Sequence, residues 1–263
     1  MRKYINIFKA ELMSNVQYAV NIALGSIGFL IFVMTFYYIW QYIYSNPDEL
    51  INGYSMTQMI WYLTITEIIY TSIKSRKICR EICNDVKSGN ITYNLNKPYS
   101  YVAFILFKEL GRCIFDIIIQ MAVGIGAVFL LVKEIPISNI WQMALVILSC
   151  VLAQVISILW IVVIGLMSFK IDDATPFYWL YSKFIILIGV IFPIEFFPQS
   201  IQGILVYTPI YVTSYGPAKL FVDFSMDNFV SIIVAQLLYI FFTYSLCLAM
   251  YNSGVKKLNV NGG

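Results

Sequence analysis

Histidine is absent from the 263 residues, which removes the commonest general base near neutral pH and the commonest metal ligand. No serine, threonine or cysteine stands beside a base that could activate it as a nucleophile. The carboxylates are single and scattered rather than paired for acid–base work. No glycine is followed at the right distance by Gly-Lys-Ser or Gly-Lys-Thr, so the chain carries no phosphate-binding loop and no nucleotide-binding domain of its own. Cys79 and Cys83 could share a helix face, yet with no histidine or further cysteine pair nearby a zinc site is not expected. The five cysteines (Cys79, Cys83, Cys113, Cys150 and Cys247) read as free thiols rather than a disulfide framework. An intrinsic catalytic site, a metal and a bound cofactor are therefore not expected.

What remains is a set of polar residues inside apolar sequence. Glu67 lies in one such stretch, where a charge is costly and marks function by default; structural pairing with Arg112 is favoured over a substrate role. Lys108, Arg112, Asp116, Gln120 and Gly124 recur every four residues, with Arg112 and Asp116 spaced for an i,i+4 pair. That stripe must face protein or water rather than lipid, and both helix packing and a cytoplasmic vestibule satisfy the requirement. Ser14, Gln17, Asn21, Gly25 and Gly28 form a second small and polar stripe. It reads as a packing face first and as a pathway lining second.

The elements that must position these residues are set by composition. Hydrophobic residues make up 60% and charged residues 12% of the chain, with a mean hydropathy of +0.78. Soluble domains carry about 25% charged residues, so a water-soluble fold could not cover its surface. The apolar segments are long and continuous, which favours an all-α polytopic membrane protein over a barrel of short alternating strands. Crossing the hydrocarbon takes about 20 helical residues. On that measure six transmembrane helices are expected, near residues 16–44, 55–73, 101–132, 135–169, 176–192 and 229–255. The stretch 196–218 is also apolar, but Pro198, Pro209 and Pro217 break it. A re-entrant element over 193–218 fits it better, with a seventh span as the alternative. Aromatic clusters such as residues 36–44 read as an interface belt.

Lysine and arginine placement orients this scheme. With the N-terminus cytoplasmic, the inner side receives Arg2, Lys3, Lys9, Lys74, Arg76, Lys77, Arg80, Lys87, Lys97, Lys170, Lys256 and Lys257. The outer side receives only Lys133 and Lys219. Both termini are thus expected inside, and the absence of a short apolar core followed by a cleavage site predicts no removable signal peptide. A net charge of +3 is too small to suggest nucleic acid as a partner. The bilayer is the expected environment, at the plasma membrane.

The longest inner loop, residues 74–100, is the most informative. Ile78, Ile82 and Val86 fall at helical spacing, Arg80, Glu81, Asp85 and Lys87 lie on other faces, and Gly89 supplies a stop. Ile91, Tyr93 and Leu95 then alternate with polar residues ahead of Pro98. The pattern fits equally an amphipathic helix at the inner membrane surface and a solvated loop skimming the headgroups. An inner helix ending in Gly89, followed by Ile91 and then Leu95-Asn-Lys97-Pro98-Tyr-Ser100 before the third span, resembles the permeases of type-2 ABC exporters. The form is most similar to small bacterial permeases that occur in pairs. Pro193-Ile-Glu195-Phe-Phe-Pro198 followed by Tyr207-Thr-Pro209 resembles that family's outer re-entrant hairpin.

The resemblance implies a single transmembrane domain over 1–263, with an amphipathic interfacial helix over 1–14. It also implies a coupling helix near 78–88 that docks, through Ile78, Ile82, Asp85, Val86, Gly89, Ile91, Leu95, Lys97 and Pro98, on a separate ABC ATPase subunit. ATP and Mg would be bound by that partner, and a second permease copy or paralogue would complete the pathway. Glu67, Arg112, Asp116, Gln120 and Asn21 would be the intramembrane polar set, and Pro193, Glu195, Pro198 and Pro209 the hairpin set. An amphipathic or lipid-like cargo fits the apolar spans. Two other classes stay in view: an assembly or anchor protein that moves nothing, and a lipid-modifying membrane enzyme. The latter would need clustered acidic residues or histidines at one membrane face.

Overall fold

The computed structural model describes residues 2–17, 19–46, 49–95, 97–137 and 139–261; within these, the side chains of 19, 21–23, 92, 95 and 257–261 are left undescribed. The described residues are helical throughout, apart from connecting turns and one isolated antiparallel bridge between Ile51 and Tyr54. The α-helices are α1 (Arg2–Val16), α2 (Ala19–Ile43), α3 (Met56–Thr71), α4 (Ser75–Lys87), α5 (Ile91–Leu95) and α6 (Tyr101–Val132). They continue as α7 (Ile140–Leu166), α8 (Thr175–Phe184), α9 (Gln199–Leu205), α10 (Gly216–Val222) and α11 (Met226–Asn261).

Four helical stretches are long and apolar enough to cross a bilayer: Leu24–Ile43, Tyr101–Val132, Ile140–Phe169 and Met226–Lys256. They correspond to four of the six expected spans. The other two are shorter: α3 has 16 residues, and α8 extends through a π-turn only as Thr175–Val190. Each covers about 24 Å at 1.5 Å per residue. On α2 and α11 the exposed side chains are large and apolar, among them Val20, Leu24, Ile27 and Ile31, then Val234, Leu238 and Phe241. Such outward apolar faces suit lipid and would be unfavourable in water.

Sequence chemistry sets the helix ends. Ser55 and Gln58 form a reciprocal capping box at the start of α3, which satisfies two orphan donors. Lys133 closes α6 in the left-handed region at φ 61°. Around Pro217 the helix widens into a π-turn at Tyr211–Tyr215. Proline lacks the N–H that an α-turn needs, and π-bulges accommodate such interruptions.

The core is divided between two ends of the bundle. At one end Ile78, Ile82, Tyr101, Leu159, Leu166 and Tyr251 pack together. At the other, Phe29, Trp61, Val146, Phe221 and Ile232 do so. Helix α7 contributes to both clusters and packs against α3, α4, α6, α8, α10 and α11. Its polar residues pair inside the bundle in part; Gln154 Oε1 and Trp160 Nε1 are buried without a hydrogen-bond partner. Gln154 donates to the Ile69 carbonyl at 3.0 Å and to Ser72 Oγ at 2.8 Å. Gln236 of α11 donates to the carbonyls of Ser149 (3.0 Å) and Val212 (2.9 Å). Unpaired amides here would be costly.

Candidate functional site

The loop between α3 and α6 folds as a helix over Ser75–Lys87. Its apolar residues face the protein. Ile78, Ile82 and Val86 are 2%, 0% and 6% exposed, packed against α7 at its last turns. Gly165 makes this approach close, because a Cβ there would lie 2.9 Å from Ile82 Cβ. Ile78, Ile82 and Val86, expected as ATPase-docking residues, seat the helix on its own bundle. The outward face carries Arg76, Lys77, Arg80, Asn84 and Lys87 instead.

Gly89 ends the helix as the sequence suggests, at φ +72°, a conformation glycine adopts without the strain a Cβ brings. The alternation after it does not become a strand. A short helix, α5, forms with Ile91 fully buried and Tyr93 exposed. The Leu95 side chain lies outside the described residues. Lys97 stands 5.7 Å from the centre of the Tyr99 ring, and Pro98 is exposed just before Ser100, the N-cap of α6. Asp85 accepts a 2.8 Å hydrogen bond from the Tyr101 hydroxyl, so it turns toward the bundle as well.

Ion pairs bind α4 to α6, and α6 in turn to α1. Lys108 of α6 pairs with Glu81 of α4 and lies 3.9 Å from Glu109. Arg112 reaches Glu109 at 2.8 Å and Glu11 of α1 at 2.9 Å. Asn15 of α1 donates to the Arg112 carbonyl at 3.0 Å, and the Tyr4 hydroxyl accepts from the Ser100 amide at 2.9 Å. Helix α1 lies close along α6, because Gly111 leaves room for the Phe8 carbonyl; a Cβ would sit 2.5 Å from that oxygen. Glu11, Glu81 and Glu109 were not singled out from sequence. Their partners lie 101, 27 and 3 residues away, and only the last separation has a helical signature.

Two expected pairings are corrected. Asp116 does not pair with Arg112; it faces Lys74 at 3.6 Å. Glu67 does not meet Arg112 either, and it has no ion-pair partner among the described residues. The register explains this. Gln120 accepts from Thr71 at 2.8 Å and Gly124 abuts Ile68, so Glu67 lies level with residues near 124. Twelve residues of helix put Arg112 about 18 Å further along the axis. The α6 stripe faces protein: Lys108, Asp116 and Gln120 are 8%, 3% and 9% exposed. The Asn21 side chain lies outside the described residues.

At the opposite end of the bundle, residues 193–222 form two short helical pieces divided by a turn at 206–208. Pro193 precedes a 3₁₀ turn at Ile194–Phe196, Pro198 caps α9, and the Pro209 carbonyl accepts from Thr213 at 2.7 Å. Glu195 accepts from the Tyr215 hydroxyl at 2.7 Å and lies 3.5 Å from Lys219. Lys219 also pairs with Asp223 at 2.9 Å and stands 4.7 Å from the centre of the Tyr54 ring. Burial first, then the nearby Tyr215 and Glu195, holds the Tyr54 hydroxyl well above the usual tyrosine range. Lys219 and Tyr215 were missed in the sequence, where nothing linked them to Glu195.

No group of three or more metal-ligating side chains occurs among the described residues. The five cysteines are free and buried. The hydrogen bond to Cys83 and burial together push the Cys79 thiol up. The arrangement is an amphipathic cross-piece tied by ion pairs to α6 and by apolar packing to α7.

Comparison with curated proteins returned no match. A family profile described as "ABC-2 family transporter protein" matches residues 29–262. That match takes in α3 to α7, the residue 193–222 pair and all of α11, and the chain belongs to the ABC-2 family of transporter proteins.

Proposed function

We propose that this chain is the membrane-spanning subunit of an ATP-driven exporter, forming half of a translocation pathway and drawing its work from a separate ABC ATPase. The observation that carries the proposal is the mounting of α4. This helix sits outside the candidate spans, is seated on α7 through Ile78 and Ile82, and is ion-paired to α6 through Glu81 and Lys108. A push on it moves the ends of two spanning helices and, through Arg112 and Glu11, the amphipathic α1. ATP and Mg belong to the ATPase, and this chain supplies no catalytic group.

In this reading the chain crosses the plasma membrane six times with both termini inside. Helix α3 and the segment Thr175–Val190 are the two short crossings, and the residue 193–222 pair dips into the outer leaflet and returns. The π-widened backbone of the second piece is enclosed by protein, with Val212, Thr213 and Ser214 buried, whereas the turn carries Val206 and Tyr207 outward. The ATPase meets the far end of α4 and the turn beyond it, near Lys87, Gly89 and Lys97. A second permease, identical or paralogous, completes the pathway.

The test is affinity purification of the tagged chain from native membrane in mild detergent. A stoichiometric soluble subunit with a phosphate-binding loop is expected beside it, and replacing Lys87 and Lys97 by Glu should release that subunit. An intact complex lacking any ATPase would overturn the proposal.

A further inference from the structure

Beside the α3–α4 junction the surface opens into a cleft of about 800 Å³, bounded by Tyr70 and Thr71 of α3, the outward face of α4, and Tyr178 of α8. Four cations line it: Lys74, Arg76, Lys77 and Arg80. Two acids share the lining, but both are engaged elsewhere, Glu81 by Lys108 and Asp85 by Tyr101. Lys74 faces Asp116 at 3.6 Å with half of its side chain still exposed. Arg76 is held 4.9 Å from the centre of the Trp179 ring. Lys77 and Arg80 have no ion-pair partner within 4 Å among the described residues. Asp173 lies within electrostatic reach of Arg80, yet the four cations outnumber the acids of the lining, and the cleft presents a net positive charge.

Its roof is closed. The Tyr70 and Ser182 hydroxyls share a 2.7 Å hydrogen bond, and the slot above them has a volume of about 30 Å³, room for about one water. An acyl chain cannot enter the bundle by that route. It can lie against α8: Trp179, which touches Arg76, is exposed by 41%, and Phe177, Leu180 and Phe184, exposed by 47%, 59% and 52%, carry the apolar surface on around the helix. Cations at the membrane end of the helices, with an apolar helix wall beside them and a closed interior, match a molecule whose charged head docks while its tails stay in the leaflet.

We propose that the cleft binds the phosphate headgroup of an anionic glycerophospholipid of the inner leaflet, with Lys77 and Arg80 contacting the phosphate and the α8 face contacting the acyl chains. The assignment of leaflet rests on the transporter reading, which places the α3–α4 junction at the inner surface. The head–tail arrangement rests on the cleft alone.

The experiment is native mass spectrometry of the purified complex in mild detergent, titrated with phosphatidylglycerol or with phosphatidylcholine of the same chains. The expected result is at least ten-fold tighter retention of phosphatidylglycerol, lost in the double variant Lys77→Ala/Arg80→Ala and kept in Arg2→Ala/Lys3→Ala. Both pairs of side chains are exposed, and unchanged elution and melting confirm that the variants fold. The proposal is overturned if the cleft variant keeps the preference or if the α1 variant loses it equally. It is also overturned if inorganic phosphate at the lipid's concentration displaces phosphatidylglycerol, since the site would then read free anions. A missing ATPase would sink the transporter reading and leave this lipid measurement standing, so the two failures are told apart.

Discussion

The Tyr215 hydroxyl donates a 2.7 Å hydrogen bond to the Glu195 carboxylate, twenty residues earlier in the chain. The bond closes the residue 193–222 pair on itself. Lys219, 3.5 Å from the same carboxylate, adds a charge to the closure, and its place over the Tyr54 ring joins the pair to the turn before α3. Glu195→Ala should therefore loosen the hairpin rather than unfold the chain. Hydrogen exchange over residues 199–222 is expected to quicken by about ten- to a hundred-fold, in line with a lost charge-assisted hydrogen bond of about 1.5–3 kcal/mol. Unchanged exchange would mean that apolar packing alone holds the hairpin.

Removing Arg112 leaves Glu109 with only the distant Lys108 and Glu11 with no ion pair. Breaking a buried pair from one side costs about 3–5 kcal/mol; the network here is partly exposed, so a smaller loss of about 1–3 kcal/mol is expected for Arg112→Ala. The variant should melt several degrees lower in detergent. Arg112→Lys should recover only part of the loss, because a single ammonium cannot reproduce the two-sided guanidinium contact. A variant that melts with the parent would show that α1 is held without the ion pair, by contacts such as Tyr4 to Ser100 and Asn15 to the carbonyl of residue 112.

Gly165 and Ile82 provide a steric test of how α4 is seated. A Cβ at 165 meets Ile82 at 2.9–3.1 Å, so Gly165→Ala should cost about 1–3 kcal/mol by overpacking. Combining it with Ile82→Ala should recover part of that loss, which thermal melting in detergent can read. Additive losses would place α4 away from α7.

Charge exchange tests the link between α4 and α6. Lys108→Glu is expected to abolish stimulation of the partner ATPase, and Lys108→Glu with Glu81→Lys should restore at least a fifth of it. Coupled residues depart from additivity in this way. If the double variant is no better than the single one, the pair carries no coupling.

The five buried cysteines should resist N-ethylmaleimide in the native complex, since reaction needs an accessible thiolate. Mass spectrometry should find less than one adduct per chain before denaturation and five after it. Rapid native labelling at Cys79 or Cys83 would mean that α4 swings away from α7.

Much of the fold was legible because lipid-facing helices announce themselves by length and apolarity: residues 101–132 were expected as a helix and form α6. The broken stretch near Pro209 was legible because proline punctuates helices in a fixed way. Helix α4 was visible from Ile78, Ile82 and Val86, but its orientation was not. An apolar stripe says that a face is covered and does not say by what, and here the cover is α7. Pairings were the least readable. Arg112 and Asp116 have ideal spacing, yet helix register brings Glu11 and Lys74 closer, and register depends on contacts between distant segments.

Helix α7 hydrogen-bonds to residues made before it and after it. Gln154 finds Ile69 and Ser72, already present when α7 leaves the ribosome. Ser149 waits for Gln236, which emerges almost ninety residues later. During that interval Ser149 lacks its interhelical partner, and its hydroxyl has only its own helix to bond. A chain cut short before α11 would never make that contact, so the central helix is fully matched only once the last helix is in place.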